Sequence, residues 1–342
     1  MRQIPAIETQ ELAGAGHGGN LSAARRAFPL APEPWLDLST GVSPYAYPLA
    51  DLSAEAWTRL PDPSALCALE SAAALAYRAP EGAAIVAAPG TQSIIGWLPH
   101  LVPARRVGIL GFTYSEHSRV WRASGAEVAI VEDLAELADK DVAIVVNPNN
   151  PDGRLVAAQD LRALAADLGK HGGLLIVDEA FMDFLSPGAS IVPDMPPAGV
   201  VALRSFGKAY GLPGLRLGFA IAPDPLAAKL RAALGCWPVS GAAIAIGSTA
   251  LSDLTWLAAT GKQLAIDVGA LDETLVAAGF NVLGGGPLFR LTGHVDVSGW
   301  FETLAKAGIL VRRFDARPSW LRFGIPGREA DLSRLRGVFG LD

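Results

Sequence analysis

From about Asp62 onward the chain alternates short, almost wholly apolar runs with longer Ala/Leu-rich stretches. The apolar runs predict strands at Ala84–Ala88, Arg106–Leu110, Val128–Val131, Val142–Val146, Leu174–Val177, Val200–Leu203 and Leu217–Ile221. The stretches between them predict helices at Ser64–Tyr77 (entered through Pro63), Thr91–Leu101, Glu116–Ser124 and Leu155–Leu168. Short, almost continuously apolar strands separated by helices predict a mostly parallel sheet covered on both faces, and so an α/β fold. After Pro225 the texture changes. Leu226–Leu234 and Ile244–Ala278 predict long helices, followed by a smaller α+β unit with strands at Asn281–Leu283, Leu288–Leu291, Leu310–Val311 and Leu321–Phe323. The first forty-odd residues carry Pro29, Pro32, Pro34, Pro44 and Pro48, which exclude any long helix there. The expected organisation is an N-terminal arm over 1–45, a large domain with a seven-stranded sheet over 46–225, and a small C-terminal domain over 226–342.

The 342 residues are 51% apolar with a net charge of −6, which excludes a disordered chain. The acidic balance, with no block of Lys or Arg, argues against nucleic acid as a partner. Cys67 and Cys236 lie far apart and in no metal-ligand spacing, so they read as small buried residues of a reducing compartment, with no metal site. The N-terminal segment has neither the basic nor the apolar region of a signal peptide, and no apolar run approaches the ~18 residues of a membrane span. A soluble cytoplasmic protein without a membrane partner is expected. Only six of the 28 basic residues are lysines, so a lysine in an unusual setting is conspicuous.

One glycine pattern misleads. Gly14-Ala-Gly16-His-Gly-Gly19 matches a dinucleotide-binding fingerprint, with Asp37 roughly where a ribose-binding acid would stand. No apolar strand precedes it, and the prolines that follow leave no room for the crossover helix that such a site needs. His17-Gly18-Gly19-Asn20 reads instead as a flexible segment able to bring backbone N–H groups and an imidazole to an anion.

Five other sites each fall at the C-terminal end of a predicted strand, where open α/β sheets place their ligands. Gly90, Thr91 and Gln92 open a helix, with amides suited to a phosphate, although such turns are common. Tyr114 could stack on a planar ligand or simply pack. Asn150 lies in Asn147-Pro-Asn-Asn-Pro-Asp-Gly153, where two Asn-Pro bonds suit a rigidly held amide. Asp178 follows an apolar strand, where a carboxylate either reaches solvent or needs a cationic partner. Lys208 sits between glycines in Ser205-Phe-Gly-Lys-Ala-Tyr-Gly, with Arg216 eight residues on. A partly desolvated amine there becomes a nucleophile toward an aldehyde, and Ser205 and Arg216 suit a phosphate. Together the five sites require a phosphate, a flat ring with a phenolate oxygen, a basic ring nitrogen and an aldehyde. Pyridoxal 5′-phosphate carries all four.

With these residues in place, the chain resembles the fold-type-I, aspartate-aminotransferase-like pyridoxal-phosphate enzymes, in the branch of the histidinol-phosphate aminotransferases and, within it, the threonine-phosphate decarboxylases. The motifs are His17-Gly-Gly-Asn20, Asp37-Leu-Ser-Thr-Gly-Val-Ser-Pro44, Asp178-Glu-Ala-Phe-Met-Asp183 and Arg204-Ser-Phe-Gly-Lys208. The resemblance implies that Lys208 joins the cofactor aldehyde, Asp178 faces the ring nitrogen, Asn150 holds the ring oxygen and Tyr114 stacks on the ring. It implies cofactor-phosphate contacts from Gly90, Thr91, Gln92, Ser205 and Arg216. Substrate contacts are implied for His17, Gly18, Gly19, Asn150, Arg312 and Arg322. It further implies a homodimer that decarboxylates L-threonine O-3-phosphate to aminopropanol phosphate in cobalamin biosynthesis. An aminotransferase acting on a phosphorylated amino acid, or a non-catalytic pyridoxal-phosphate-binding regulator, are the alternatives. Four positions depart from commoner patterns: Gly41, Leu60, Phe181 and Gly207.

Overall fold

The computed structural model describes residues 17–341, so Gly14 and Gly16 of the glycine pattern lie outside the described residues. The strands in chain order are β1 (Leu36–Asp37), β2 (Ala83–Ala88), β3 (Arg106–Leu110), β4 (Glu127–Val131), β5 (Val142–Val146), β6 (Leu174–Asp178) and β7 (Val200–Arg204). They continue with β8 (Gly218–Pro223), β9 (Asn281–Gly286), β10 (Phe289–Gly293), β11 (Ile309–Leu310), β12 (Arg312–Arg313) and β13 (Trp320–Gly324).

The seven apolar runs form one sheet in the order β2-β8-β7-β6-β5-β3-β4. β8 is antiparallel to both its neighbours, and all other pairings are parallel. Every residue of β5 is buried, with Ala143 and Val145 in one core cluster and Val142 and Ile144 in another. Burial on both faces is why these strands show no polar alternation. β2 lies at an edge, where unpaired backbone groups invite association. Glu70 accepts from the Ala87 N–H at 2.9 Å and Arg231 donates to the Ile85 carbonyl at 2.5 Å. The two side chains also pair with each other at 3.0 Å. This ion pair occupies the edge in place of a further strand.

Asp62 caps the helix Pro63–Tyr77 by accepting from the Ser64 N–H at 2.7 Å. The helix expected over 244–278 is broken into Gly241–Ser252 and Leu254–Ala277, bent by 76°. Asp253 accounts for the break, since its carboxylate accepts from the Trp256 N–H at 2.9 Å and starts a new helix. Among the described residues, no single helix is long and apolar enough to cross a membrane. Among the described residues, the proline-rich N-terminal segment forms a short helix, Leu21–Ala27, with Asn20 as its cap. Helices Val297–Lys306 and Glu329–Phe339 add to the elements expected from the sequence.

Two compact units emerge: residues up to Tyr45 with those from Thr260 onward, and Ala46–Ala259 between them. This division differs from the change of texture at residue 225. The segment after Pro225 still contributes to the large unit's core, through Ala227 and Leu230 in one cluster and Ile244 and Leu251 in the other. In the first unit, β1 pairs in parallel with β11, and β12-β13-β10-β9 form an antiparallel sheet. Cys67 and Cys236, expected to be buried, are both exposed. The helix carrying Cys67 buries Leu69, Ala73 and Tyr77, a stripe repeating every four residues that leaves the thiol outside, and Cys236 follows a helix-ending glycine.

Candidate active site

The C-terminal ends of β2, β3, β5, β6 and β7 deliver the five sequence sites to one end of the large sheet. After β2, Gly90 has φ 80 and caps the helix Thr91–Leu101 without any side-chain hydrogen bond. A Cβ at Gly90 would lie 2.8 Å from Arg216 Nη2, so the missing side chain is what admits the guanidinium. The helix start adds its own partial positive charge.

Beyond β3, the Tyr114 hydroxyl donates to Gln92 Oε1 at 3.1 Å, and Gln92 Nε2 donates to Glu116 at 2.6 Å. Glu116 in turn is paired with Arg119 at 2.6 Å. Burial first, then the charges of Glu116 and Asp178, push the Tyr114 phenol up to about 12, so it is neutral at physiological pH. Asp178, at the end of β6, meets His117 Nε2 at 2.9 Å, and both side chains are buried. His117 follows Tyr114 by one helical turn and was not singled out from sequence. A polar residue among apolar ones on a helix face was the available signal.

The Asn-Pro loop after β5 divides its labour. Asn147 donates to and accepts from Val156 at 3.1 and 2.8 Å, and Asn149 donates to Phe112 and Asp152. Both are buried, whereas Asn150 is half-buried at the cavity. Peptide bonds Asn147–Pro148 and Asn150–Pro151 are cis.

Glu179 is buried with Arg204 Nη1 at 2.9 Å, and Arg204 Nη2 reaches Asp183 at 2.8 Å. Ser190 and the Ile191 N–H complete the Glu179 carboxylate at 2.6 and 2.8 Å. These charges adjoin Asp178 at the end of β6 and Ser205 just after β7, so the ion network fixes both strand ends. Lys208 lies in a single helical turn, Phe206–Ala209, with its Nζ 5.4 Å from the centre of the Phe181 ring. The departure at Gly207 has a steric cause: a Cβ there would lie 2.8 Å from Pro213 Cα and 3.2 Å from the Leu212 carbonyl oxygen.

A cavity of about 150 Å³ is lined by Gly90, Thr91, Gln92, Tyr114, Asn150, Asp178, Ser205, Lys208 and Arg216, together with Phe181 and Gly207. An amine, a buried carboxylate, an aromatic face and an anion-binding helix start thus share one enclosure. In the other unit, His17, Gly18, Gly19, Arg312 and Arg313 line a small concavity with Ser39. Arg313 lies over Phe301, with its guanidinium carbon 4.5 Å from the ring centre, and Arg312 over Phe314 at 5.4 Å. Arg322 stands opposite Arg312 in the β12–β13 register and donates to the Ser39 carbonyl at 2.8 Å. Burial and the like charge of Arg312 pull the Arg322 guanidinium down to about 9, with Asp37 acting the other way.

A family model described as aminotransferase class I and II matches residues 33–338. The chain belongs to the aminotransferase class I and II family. As a class I and II family member it is 43% identical to a threonine-phosphate decarboxylase of Sinorhizobium sp. over 322 residues, 93% of this chain and 96% of that protein. It is 38% identical to a threonine-phosphate decarboxylase of Pseudomonas aeruginosa, over 93% and 95% of the two chains. The crystal structure of histidinol-phosphate aminotransferase from Sinorhizobium meliloti, a complex with pyridoxal-5′-phosphate, matches with a TM-score of 0.78. That match has 18% identity and covers 99% of this chain and 98% of that one, a likeness of fold. The class I and II match takes in every residue of the cavity around Lys208, and His17, Gly18 and Gly19 precede it.

Proposed function

We propose that this protein is a pyridoxal-phosphate-dependent decarboxylase of L-threonine O-3-phosphate. The observation that carries the chemistry is the meeting of the Lys208 amine and the buried Asp178 carboxylate in one cavity that also holds a helix start and Arg216. The choice of substrate follows the two decarboxylase relatives that match over nearly their whole length. The residues fit the cofactor: the space that a Cβ at Gly90 would fill lies against a guanidinium suited to its phosphate.

When bound, pyridoxal phosphate supplies an aldehyde for amines and a protonated ring that accepts the electron pair released at Cα. Thr91, Gln92, Ser205 and Arg216 hold its phosphate through hydroxyl, amide and guanidinium donors. Asp178, held by His117, would face the ring nitrogen and favour its protonated form, and Asn150 would hold the ring oxygen. Tyr114, neutral and anchored through Gln92, would pack against the ring. Arg322, Arg312 and the His17–Gly19 segment hold the substrate's carboxylate and phosphate. Decarboxylation breaks the bond between Cα and the carboxylate carbon, CO₂ leaves, and Lys208 or a water returns one proton to Cα, giving aminopropanol phosphate. The same reading includes a cytoplasmic location and a homodimer, the latter tested by light scattering of the purified protein.

Incubation of the cofactor-loaded protein with L-threonine O-3-phosphate is expected to release CO₂ in stoichiometric yield with aminopropanol phosphate. Amino transfer to a keto acid without CO₂ release would overturn the decarboxylase reading in favour of an aminotransferase.

A further inference from the structure

Ser39 joins groups from three elements of the N- and C-terminal unit. Its hydroxyl accepts from the Gly19 N–H at 2.7 Å and donates to Asp37 Oδ1 at 2.6 Å. Its own N–H donates to the same Asp37 oxygen at 2.9 Å. Its carbonyl oxygen accepts from Arg322 Nη2 at 2.8 Å. The residue is 2% exposed, whereas His17 and Gly19 beside it are exposed. Gly18 packs so closely that a Cβ there would lie 2.2 Å from the Ser39 carbonyl oxygen. Each polar group of Ser39 therefore has a partner, and the donor direction runs one way, from the Gly19 amide through the hydroxyl to the carboxylate.

We propose that Ser39, oriented by Asp37, is a positioning residue for substrate anions: it fixes the His17–Gly19 segment and the Arg322 guanidinium at one spacing. The inference rests on the reading above that these groups hold the substrate's carboxylate and phosphate. A hydroxyl whose donor and acceptor are both engaged has one rotamer, so it transmits the position of β1 to an otherwise exposed segment. Asp37 acts as the acceptor at the end of the relay, and an amide oxygen at the same place preserves that role.

The test compares wild-type holoenzyme with Ser39→Ala, Asp37→Ala and Asp37→Asn near pH 7. Ser39→Ala and Asp37→Ala each remove two hydrogen bonds and are expected to raise KM for threonine phosphate by at least roughly tenfold, with kcat changed less than about threefold. Asp37→Asn is expected to stay within about threefold of wild type. Cofactor absorbance per subunit stays unchanged in all three, because the cofactor cavity involves none of these residues. A KM unchanged in Ser39→Ala, or a fall in kcat equal to the rise in KM, overturns the proposal. Should Ser39→Ala not fold, Gly18→Ala separates the same contact by steric pressure and is expected to raise KM likewise. If the wild-type holoenzyme releases no CO₂ from threonine phosphate, the decarboxylase reading falls, and calorimetric binding of inorganic phosphate decides the relay. Weaker phosphate binding by Ser39→Ala than by wild type upholds it, and equal binding overturns it.

Discussion

Replacing Arg204 by Met removes the one cation that bridges Glu179 and Asp183 while keeping much of the side-chain volume. Arg204 is 5% exposed and Glu179 fully buried, so neither carboxylate can be rehydrated without opening the sheet end. Two charge-assisted hydrogen bonds, at 2.9 and 2.8 Å, are lost. Breaking a buried pair by removing one partner costs about 3–5 kcal/mol, mostly from the charge left behind. For a unit of this size, a Tm shift of roughly 2–4 °C per kcal/mol places the loss at about 6–20 °C. The deficit also has a pH signature. Burial already holds the Glu179 carboxyl above its usual value against the pull of Arg204, and without the guanidinium it rises further. A carboxyl whose native pKa is raised keeps its proton in the folded state after the unfolded chain has released it. Stability is therefore lost as pH rises through the folded value. The variant's deficit relative to wild type is expected to be smallest near pH 5 and to widen toward pH 8. Melts followed by circular dichroism across that range measure it, and adding Glu179→Gln to Arg204→Met should recover part of the loss. A drop below about 3 °C, or a deficit that ignores pH, would refute the account of Arg204 as the compensating charge.

Other outcomes follow from the site and its surroundings. Lys208→Ala should abolish decarboxylation and the absorbance of cofactor joined to a lysine; a surviving lysine-linked chromophore would place the nucleophile elsewhere. Gly207→Ser should cost roughly 1–3 kcal/mol, measured by denaturant unfolding, because its Cβ meets the Leu212–Pro213 backbone. The same variant should release cofactor faster, since the turn that shifts carries Lys208. All five tyrosines are held above their usual ionisation range, with burial the largest cause for each. Above about pH 10 the unfolded chain loses phenolic protons that the native state keeps, so stability falls as pH rises further. Phenolate absorbance of the native protein should accordingly lag that of the protein in denaturant.

The strands were legible because each carries its own signature. Arg106–Leu110 and Val142–Val146 coincide with β3 and β5 to the residue: β5 is apolar and buried throughout, and β3 is buried from Val107 onward behind an exposed Arg106 at its start. Helix ends set by side-chain caps were less legible. The predicted helix over 244–278 ignored Asp253, whose helix-starting role depends on the direction its carboxylate takes. The exposed thiols and the division between units were missed for a related reason: periodicity reports that a face is buried, not against what.

The nine proposed cofactor residues could be chosen from sequence because strand ends of an open sheet converge, and each residue type there carries distinct chemistry. The partners that hold them could not. Asp178 announced a need for a partner without naming His117, which comes from a helix 61 positions earlier in the chain. Glu179 directly follows β6 and Arg204 ends β7, and they become an ion pair only because the two strands are neighbours in parallel register. Ser39 belongs to a motif that carries the family resemblance, but its role shows only in the fold, where its hydroxyl and carbonyl lie between Gly19, Asp37 and Arg322. Sequence by itself determined the fold class and the chemistry, because both depend on residue type and local period. Tertiary structure alone decided which polar group satisfies which, because hydrogen bonds and ion pairs act over about 3 Å between residues that only folding brings together.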